Sequence, residues 1–524
     1  ANRDIQMVEN AGDWYLRGHK IMAVNLQAHN PALQKHSIFR NTGSITGLNE
    51  ASANGYIGEQ VAFMFTQGSP TQEHRGFDNL GKIEMRAPSS VIFHHNDGGA
   101  NSGTALDIMI NSGTAKLYGQ KSAGYTSKGA AATSRAILKL DEPITLLGDQ
   151  NIGAVVDKKM FFDKFVVKFD IGTEDPRQKK PSASGVGGLE NSGNITLTMS
   201  DVPAGTTAAE LAKLNQEAEF LTNNTTGYYT TFAGPYALKD FQVNLGKFAR
   251  DSVGLRVDGS DLTIGDSTTP HNTTTIKNFI KHEGNYINDE STTNVTTGNI
   301  LVYMDPGANS KLSISHDTEL SAKNSRAVTG IFVKEAAKLE NKAKITITNA
   351  PESKGIIVTK GGTPLITPKV ENYNDIIVEG EKSIGIANYG EFEQKVKATG
   401  VKTNIQATGE NAIAVYTNNT TKPLKLNSVN VIAKDGAVGL YPEAPIGQKS
   451  TMELKDVNIE VGKNGLMLYN YTGSNAIQVG DFDLKSDVTA SVADGGVAFY
   501  NKGTIATIPS YLNMLKGNKT LKLT

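Results

Sequence analysis

The sequence contains no cysteine. Without thiols the chain has no disulfide, no thiolate nucleophile and no cysteine-ligated zinc or iron–sulfur site. Packing and hydrogen bonds must therefore hold the fold together. In an exported bacterial protein this absence favours secretion through a narrow pore, because a periplasmic disulfide would cross-link a chain that still has to pass unfolded.

The sequence also lacks an excess of charge of one sign and long apolar runs. The net charge is -1 over 524 residues, without long blocks of one sign. Nothing in this pattern predicts a nucleic-acid partner or binding to an anionic membrane. No apolar run approaches the roughly 20 residues of a membrane helix, and the first residues lack the pattern of a signal peptide. We expect any signal sequence and any membrane anchor to lie outside this chain.

The most informative feature that is present is an internal repeat. Its clearest form is an anchor run of apolar, small, apolar and aromatic residues at 413–416, 438–441, 466–469 and 497–500. The closing tyrosines of these runs lie 25, 28 and 31 residues apart. Similar runs at 300–303, 329–332, 356–359 and 384–387, and at 61–63, 91–93 and 152–154, continue the period toward the N-terminus.

Each repeat also carries two further short segments in which apolar and polar residues alternate, such as 424–426 and 429–431. Alternation with period two is typical of strands that turn one side chain inward and the next outward. A single strand of this kind buries its apolar row only when the next repeat stacks on it. The sequence therefore predicts an all-β fold: a right-handed parallel β-helix with three strands and about 25–31 residues per rung, roughly seventeen rungs in one rod.

A second motif, Asn-x-Gly-x-apolar, recurs in phase with the anchor runs. Asparagine and glycine tolerate positive φ and suit tight corners, and stacked asparagines can hydrogen-bond from one rung to the next. The motif begins at Asn41, Asn79, Asn191, Asn388 and Asn501.

Together, the anchor strand and the Asn-x-Gly-x-Ile corner resemble the passenger repeats of monomeric type V autotransporters, especially the large fusobacterial RadD-like adhesins. The resemblance covers most of the chain outside two insertions. It implies export, display at the bacterial surface, anchoring in the outer membrane through a C-terminal translocator that this chain does not include, and adhesion to host cells or other bacteria as a virulence function. It also implies a monomer without cofactors, and a protein or glycan receptor as partner.

The first interruption predicts a lateral insertion at residues 172–245. A capping box at Thr207 predicts a short helix there. The insertion carries a basic segment and a dense aromatic patch, which favour partner binding, although the aromatics could instead pack the insertion onto the stack, or do both. The candidate binding residues are Arg177, Lys179, Lys180, Tyr228 and Tyr229.

These interruptions also set the expected boundaries. We expect an irregular rung or partial cap at residues 1–40, which include Trp14, and β-helix at 41–171 and 246–524. A loop excursion at about 258–299 breaks the second stretch, and long loops on a regular scaffold often carry function. The polar and aromatic residues that cluster in this loop are His271, Lys281, His282, Tyr286 and Asp289.

Catalytic and metal sites find weaker support. His94 and His95 could ligate a metal, but adjacent strand residues point to opposite faces. The triplet Gly265-Asp266-Ser267 resembles the serine motif of autotransporter proteases, yet Thr268 and Thr269 replace the residues expected next. We predict neither a metal site nor a catalytic residue.

Two alternatives to an adhesin stay open. A passive stalk would only display a distal tip. A polysaccharide-cleaving β-helix would need paired carboxylates on neighbouring rungs, whereas the acids considered for that role are scattered and mostly at turns. These acids are Asp456, Asp481, Asp483 and Asp494.

Overall fold

The structure, a computed structural model, describes most of the chain. The described residues are 5–27, 36–50, 55–66, 74–96, 106–127, 134–157, 160–174, 207–209, 222–231, 234–286, 297–361, 367–445, 448–471, 477–502, 515–516 and 519–524.

In chain order, the strands of the N-terminal half are β1 (Ile5–Asn10), β2 (Asp13–Leu16), β3 (Met22–Gln27), β4 (His36–Asn41), β5 (Ser44–Gly47), β6 (Val61–Thr66), β7 (His74–Asn79), β8 (Lys82–Met85), β9 (Val91–Asn96), β10 (Leu106–Asn111), β11 (Thr114–Leu117), β12 (Ala123–Ser127), β13 (Ser134–Leu140), β14 (Ile144–Leu146), β15 (Ile152–Asp157), β16 (Met160–Ile171), β17 (Thr222–Asn223), β18 (Thr226–Thr231), β19 (Tyr236–Leu238), β20 (Asp240–Leu245), β21 (Ala249–Arg250) and β22 (Val253–Asp258).

The strands that follow are β23 (Asp261–Ile264), β24 (Asn278–Glu283), β25 (Ile300–Met304), β26 (Lys311–Ile314), β27 (Thr318–Lys323), β28 (Thr329–Val333), β29 (Lys338–Asn341), β30 (Lys344–Thr348), β31 (Lys354–Val358), β32 (Lys369–Asn372), β33 (Ile376–Glu379), β34 (Ile384–Asn388), β35 (Glu391–Gln394), β36 (Thr403–Thr408), β37 (Ile413–Thr417), β38 (Leu424–Lys434), β39 (Val438–Pro445), β40 (Thr451–Val461), β41 (Leu466–Tyr471), β42 (Ile477–Val479), β43 (Asp481–Leu484), β44 (Val488–Val492), β45 (Val497–Lys502), β46 (Leu515–Lys516) and β47 (Leu521–Leu523).

The fold is an all-β parallel β-helix, as the repeat predicts. The chain divides into two compact units. The first consists of Ala1–Thr230, Gln242–Gly254 and Glu283–Thr296, and the second of Thr231–Phe241, Leu255–His282 and Thr297–Thr524.

In the first unit, three parallel series of strands stack rung upon rung. The anchor strands β3, β6, β9, β12 and β15 pair in that order. Strands β4, β7, β10 and β13 form a second series, and β5, β8, β11 and β14 form a third. Three strands per rung is therefore the observed unit.

The second unit repeats this plan. Its anchor series runs through β25, β28, β31, β34, β37, β39, β41 and β45. The long strands β38 and β40 each contribute to both other series. Ile386, Val415 and Leu440 lie in register on successive rungs and are 0–1% exposed. The third position of the anchor run therefore forms the core.

Two boundaries differ from those expected. Strands β1, β2 and β3 pair with β4, β5 and β6, so residues 5–27 form a regular rung instead of an irregular one. Their anchor run, at 22–25, ends in asparagine instead of an aromatic residue, which weakened the sequence signal. Near the insertion, β18 is an anchor strand: Thr226 N–H donates to the Asn151 carbonyl, and Val253 N–H donates to the Thr225 carbonyl. The stack therefore resumes at Thr222 rather than at 246.

The predicted asparagine stack is confirmed in the first unit. Asn10 Nδ2 donates to Asn41 Oδ1 at 2.8 Å, Asn41 to Asn79 at 2.8 Å, and Asn79 to Asn111 at 2.7 Å. All four side chains are buried, at 0–3% exposure. Each amide thus satisfies its neighbour away from water, at the corner that follows the strand.

Replacing Asn79 with leucine should lower the free energy of unfolding of the first unit by about 1–3 kcal/mol, because Asn41 loses an acceptor and Asn111 loses a donor. Urea unfolding followed by the fluorescence of Trp14, the single tryptophan, measures this loss. The matched control is Leu80→Ala at the adjacent residue, which is 47% exposed and should change stability by less than roughly 0.5 kcal/mol. Equal effects of the two changes would contradict the prediction.

Among the described residues, no helix has the length and apolar character needed to cross a membrane. The helix expected to begin at Thr207 lies outside the described residues beyond Ala209.

Candidate functional site

The rungs of the second unit present three outer surfaces of different chemistry. On the first, which we call the charged face, Glu340, Glu371 and Glu393 lie in register on successive strands β29, β32 and β35. Each carboxylate lies 2.8–3.0 Å from a lysine amine. These lysines are Lys342, Lys369 and Lys395, respectively.

On the charged face, the negative charge of each glutamate is offset by the positive charge of its lysine partner. Burial alone would raise the pKa of the Glu371 carboxyl, but the hydrogen bond and charge of Lys369, with the charge of Lys395, hold it below its usual value. Burial, followed by the charges of Glu371 and Glu340, raises the pKa of Tyr373 to about 12. The Glu371 carboxylate therefore stays ionised and paired, which is typical of a solvated surface.

On the second surface, the amide face, polar side chains hydrogen-bond along the stack. Asn430 donates to Asn404 at 3.0 Å, Asn458 donates to Asn430 at 3.2 Å, and Thr489 donates to Asn458 at 2.7 Å. These side chains are partly exposed, apart from the more exposed Thr489. The amide face satisfies much of its hydrogen bonding within itself.

The third surface is aromatic, and we call it the tyrosine column. It consists of Tyr389, Tyr416, Tyr441, Tyr469 and Tyr500. Ring centroids of successive members are 5.5–5.7 Å apart, so one ring follows another from rung to rung. Tyr389 and Tyr500 are 38% and 43% exposed, and the three between them are partly exposed. At Tyr416, Tyr441, Tyr469 and Tyr500 the fourth position of the anchor run thus faces outward. Tyr389 joins the column from two residues beyond the fourth position of its own run, which is Ala387 at 2% exposure.

Aliphatic side chains lie beside the tyrosine column, at the first position of the same anchor strands. Ile384, Ile413 and Leu466 are partly exposed, and Val497 is 38% exposed. Their registers place them in one row along the stack, in which Val438, between Ile413 and Leu466, is buried at 7% exposure. An apolar stripe along a regular scaffold, next to two polar faces, is the usual mark of an interaction surface.

A polar centre lies in the middle of the tyrosine column. Tyr416 and Tyr441 hydrogen-bond to the carboxylate of Glu443, and Asn418 Nδ2 donates to Tyr416 Oη at 3.3 Å. Burial is the largest cause that raises the pKa of both phenols, and the negative charge of Glu443 raises it further. Both hydroxyls therefore stay protonated at neutral pH and remain available as hydrogen-bonding groups.

Of the five binding residues expected in the insertion, two lie in the described part of the chain. Arg177, Lys179 and Lys180 lie outside the described residues, so their role stays a prediction. Tyr228 is fully buried on β18, with its ring 5.6 Å from that of Phe165. Tyr229 follows it at the fourth, outward position of that anchor strand and is partly exposed.

The polar residues of the excursion at 258–299 do not form one cluster. His282 is 2% exposed and hydrogen-bonds to Ser325 Oγ at 2.8 Å. His271 is exposed, with its ring 6.5 Å from that of His316. Lys281 pairs with Glu319 at 3.0 Å. Strands β23 and β24 lie inside this stretch, so much of it is rung rather than loop; Asp289 lies outside the described residues.

The two adjacent histidines point to opposite sides of β9, as the strand geometry predicts. His94 Nδ1 lies 2.6 Å from Thr126 Oγ1 on the outside, whereas His95 is fully buried. His95 Nε2 lies 2.7 Å from the Asp107 carboxylate, which also accepts two hydrogen bonds from Arg75 at 2.7 and 2.8 Å. This buried trio stabilises rungs of the first unit.

The excursion triplet Gly265-Asp266-Ser267 forms a local turn. Asp266 Oδ1 accepts hydrogen bonds from Thr268 N at 3.0 Å and from Thr268 Oγ1 at 2.7 Å. An aspartate that accepts two bonds from the second residue after it has an ordinary backbone role. Neither contact involves the hydroxyl of Ser267, so they give no support for a catalytic serine.

The acids considered for polysaccharide cleavage have separate lysine or serine partners. Asp456 lies 2.8 Å from both Lys402 Nζ and Ser428 Oγ. Asp481 and Asp483 pair with lysines at 3.3 and 2.7 Å, and Asp494 is exposed. Burial would raise the pKa of Asp456, but hydrogen bonds to Lys402 and Ser428 hold it below its usual value.

Sequence reasoning missed the carboxylates that do lie on neighbouring rungs, namely those of the charged face. A usable signal exists: the segments 338–341 and 369–372 both read Lys, apolar, Glu, Asn, and 391–394 reads Glu, Phe, Glu, Gln. It also missed Glu443, which lies two residues beyond the anchor tyrosine and has no counterpart in the other repeats. Only the path of the chain places it between Tyr416 and Tyr441.

Within the described part of the chain, no group of three or more histidine and acidic side chains could hold a metal ion. Comparison of the chain with models of protein families, with curated proteins and with solved structures gave no match.

Proposed function

We propose that this chain is the adhesive region of a bacterial surface protein, exported and displayed at the outer membrane, and that it attaches the cell non-covalently to host cells or other bacteria. The tyrosine column is the contact surface. The observation that carries this proposal is the contrast between three faces of one repeat, of which two satisfy their polar groups internally and one exposes aromatic rings.

Two physical arguments support an adhesive role for the column. Tyrosine is enriched among residues that dominate binding energy, because a rigid ring buries a large area and its hydroxyl fixes orientation. A protein that served only as a stalk would need outward side chains that keep it soluble, as the charged face provides. An outward aromatic ring on each of five successive rungs costs solubility and gives binding area in return.

The enzymatic alternative has less support. A glycoside-cleaving pair needs one carboxyl group whose pKa is raised so that it can donate a proton. The pKa values of Glu371 and Asp456 are instead held below their usual range by neighbouring lysines. Neither of these two carboxyls therefore suits the role of proton donor, and we propose binding as the function.

The purified chain should bind host or bacterial cells and block adhesion of the parent bacterium. The variant Tyr416→Ser/Tyr441→Ser should lose affinity by roughly tenfold for each ring removed, because each ring contributes at the level of an interface hot spot. Flow cytometry with labelled protein measures the binding, and circular dichroism checks that the variant is folded.

The matched control is Glu371→Ser/Glu393→Ser, which truncates two outward residues on consecutive rungs of the charged face and should bind like the parent. If the tyrosine variant also binds like the parent, the column is not the contact surface. If the parent chain itself neither binds nor blocks adhesion, the adhesive function is wrong and a stalk fits better.

A further inference from the structure

We infer that the tyrosine column binds a neutral, linear polysaccharide that runs from rung to rung. This inference rests on the proposed function and specifies the class of ligand. The first argument is periodicity: the column repeats one ring at each rung, at centroid spacings of 5.5–5.7 Å over five rungs. A repeating surface is used fully only by a ligand that repeats, because each further unit then binds at a high effective concentration.

The second argument is the chemistry of the contact groups. A sugar ring has an apolar C–H surface and a rim of hydroxyls, so it needs apolar ring surface with hydrogen-bonding groups beside it. The column offers this combination at Tyr416 and Tyr441, where Asn418 supplies an amide and Glu443 a carboxylate. A few polar groups among aromatic rings are typical of sites that bind and orient small ring-shaped ligands.

The third argument is charge. Glu443 is partly exposed, and within the described part of the chain its carboxylate contacts Tyr416, Tyr441 and Asn418 instead of a lysine or arginine. The carboxylate would repel uronic-acid, sialylated or phosphate-bearing polymers, since like charges in a contact oppose binding. Hydroxyl groups of a neutral sugar donate hydrogen bonds to a carboxylate without this cost. The charge pattern therefore selects neutral chains.

The test uses the whole purified chain and defined carbohydrates. Immobilised mannan, β-glucan and galactan serve as neutral probes, and polygalacturonate as the anionic probe. At least one neutral polymer should retain the chain. Its soluble oligosaccharides should compete better as they lengthen, by on the order of tenfold from the disaccharide to an oligomer that spans several rungs.

Three variants sharpen the test. Tyr416→Ser/Tyr441→Ser should lose retention on the neutral polymer by roughly tenfold or more. Glu443→Lys should raise retention on polygalacturonate relative to the parent, because it reverses the charge of the carboxylate at the centre of the column. Glu371→Ser/Glu393→Ser on the charged face should leave both unchanged.

Cell binding separates this inference from the proposed function. If the chain binds cells through the column, but protease treatment of the cells abolishes binding and periodate oxidation of their glycans does not, the ligand is a protein and the inference is overturned while the adhesive function stands. Retention on polygalacturonate alone, or competition that does not depend on oligosaccharide length, also overturns it. Absence of binding to cells and to every polymer overturns both.

Discussion

Replacing Asp107 with leucine is expected to lower the free energy of unfolding of the first unit by about 3–5 kcal/mol, because the change leaves buried positive charge without its carboxylate. Asp107 is 2% exposed, and it contacts Arg75 and His95, which are 3% and 0% exposed. Arg75 also lies with its guanidinium 5.0 Å from the centre of the Phe65 ring. Because these side chains are at most 3% exposed, water cannot solvate the positive charge that the substitution leaves behind.

The pH dependence of this contribution follows from the same contacts. Burial alone would raise the pKa of the Asp107 carboxyl, but hydrogen bonds and charges from His95 and Arg75 outweigh it and hold the pKa below its ordinary value of 3.8. A group whose pKa is lower when folded stabilises the fold above its unfolded pKa and loses that effect as the pH falls through the folded value. The difference between parent and variant should therefore shrink in strong acid.

Urea unfolding monitored by Trp14 fluorescence measures the loss, since Trp14 lies on β2 of the same unit. The control is the apolar triple variant Asp107→Leu/Arg75→Met/His95→Phe, which removes the charges together and should recover most of the stability. If Asp107→Leu alone unfolds at the same urea concentration as the parent, the carboxylate does not compensate Arg75 and His95.

Replacing Leu440 with aspartate should unfold the surrounding rungs of the second unit, at a cost of roughly 4 kcal/mol or more for an unpaired buried charge. Leu440 is 1% exposed and lies in register with Val415 and Leu468 on the rungs before and after it. Hydrogen exchange of the backbone amides, read by mass spectrometry, should show lost protection in β37, β39 and β41.

Leu466→Asp supplies the matched control, because it introduces the same charge at a partly exposed leucine on the next anchor strand. It should cost much less, since its carboxylate stays in water. Similar loss of protection in both variants would mean that burial at the third position does not determine the stability of the rung.

Much of the architecture was predictable because it depends on local periodicity. The tyrosine spacing of the anchor runs located the rungs, and the registers Tyr416 to Tyr441 and Tyr469 to Tyr500 confirm that alignment. The Asn-x-Gly corners predicted stacked amides, which the contact from Asn41 to Asn79 confirms. The boundaries of the β-helix were harder to predict, because the anchor strands β3 and β18 depart from the usual anchor pattern. The sequence therefore predicted a cap at the first and an insertion at the second.

The candidate site was predictable only in part. The tyrosines were visible as a repeat, but whether the fourth position faces the core or the solvent depends on the bend of the anchor strand. In the first unit Tyr228, at the third position, is buried, whereas Tyr229, one residue later, is partly exposed. A shift of one residue along a strand exchanges the two sides, so two adjacent tyrosines have opposite environments.

By itself the sequence determined the parallel β-helix, three strands to a rung, and the amide stacks, because each of these follows from patterns that recur within about thirty residues. The tertiary structure alone decided which distant side chains meet. Arg75, His95 and Asp107 lie on different strands and come within hydrogen-bond reach only when successive rungs stack in one register. The same stacking brings Glu443 to Tyr416, a contact between rungs that no spacing along the chain encodes.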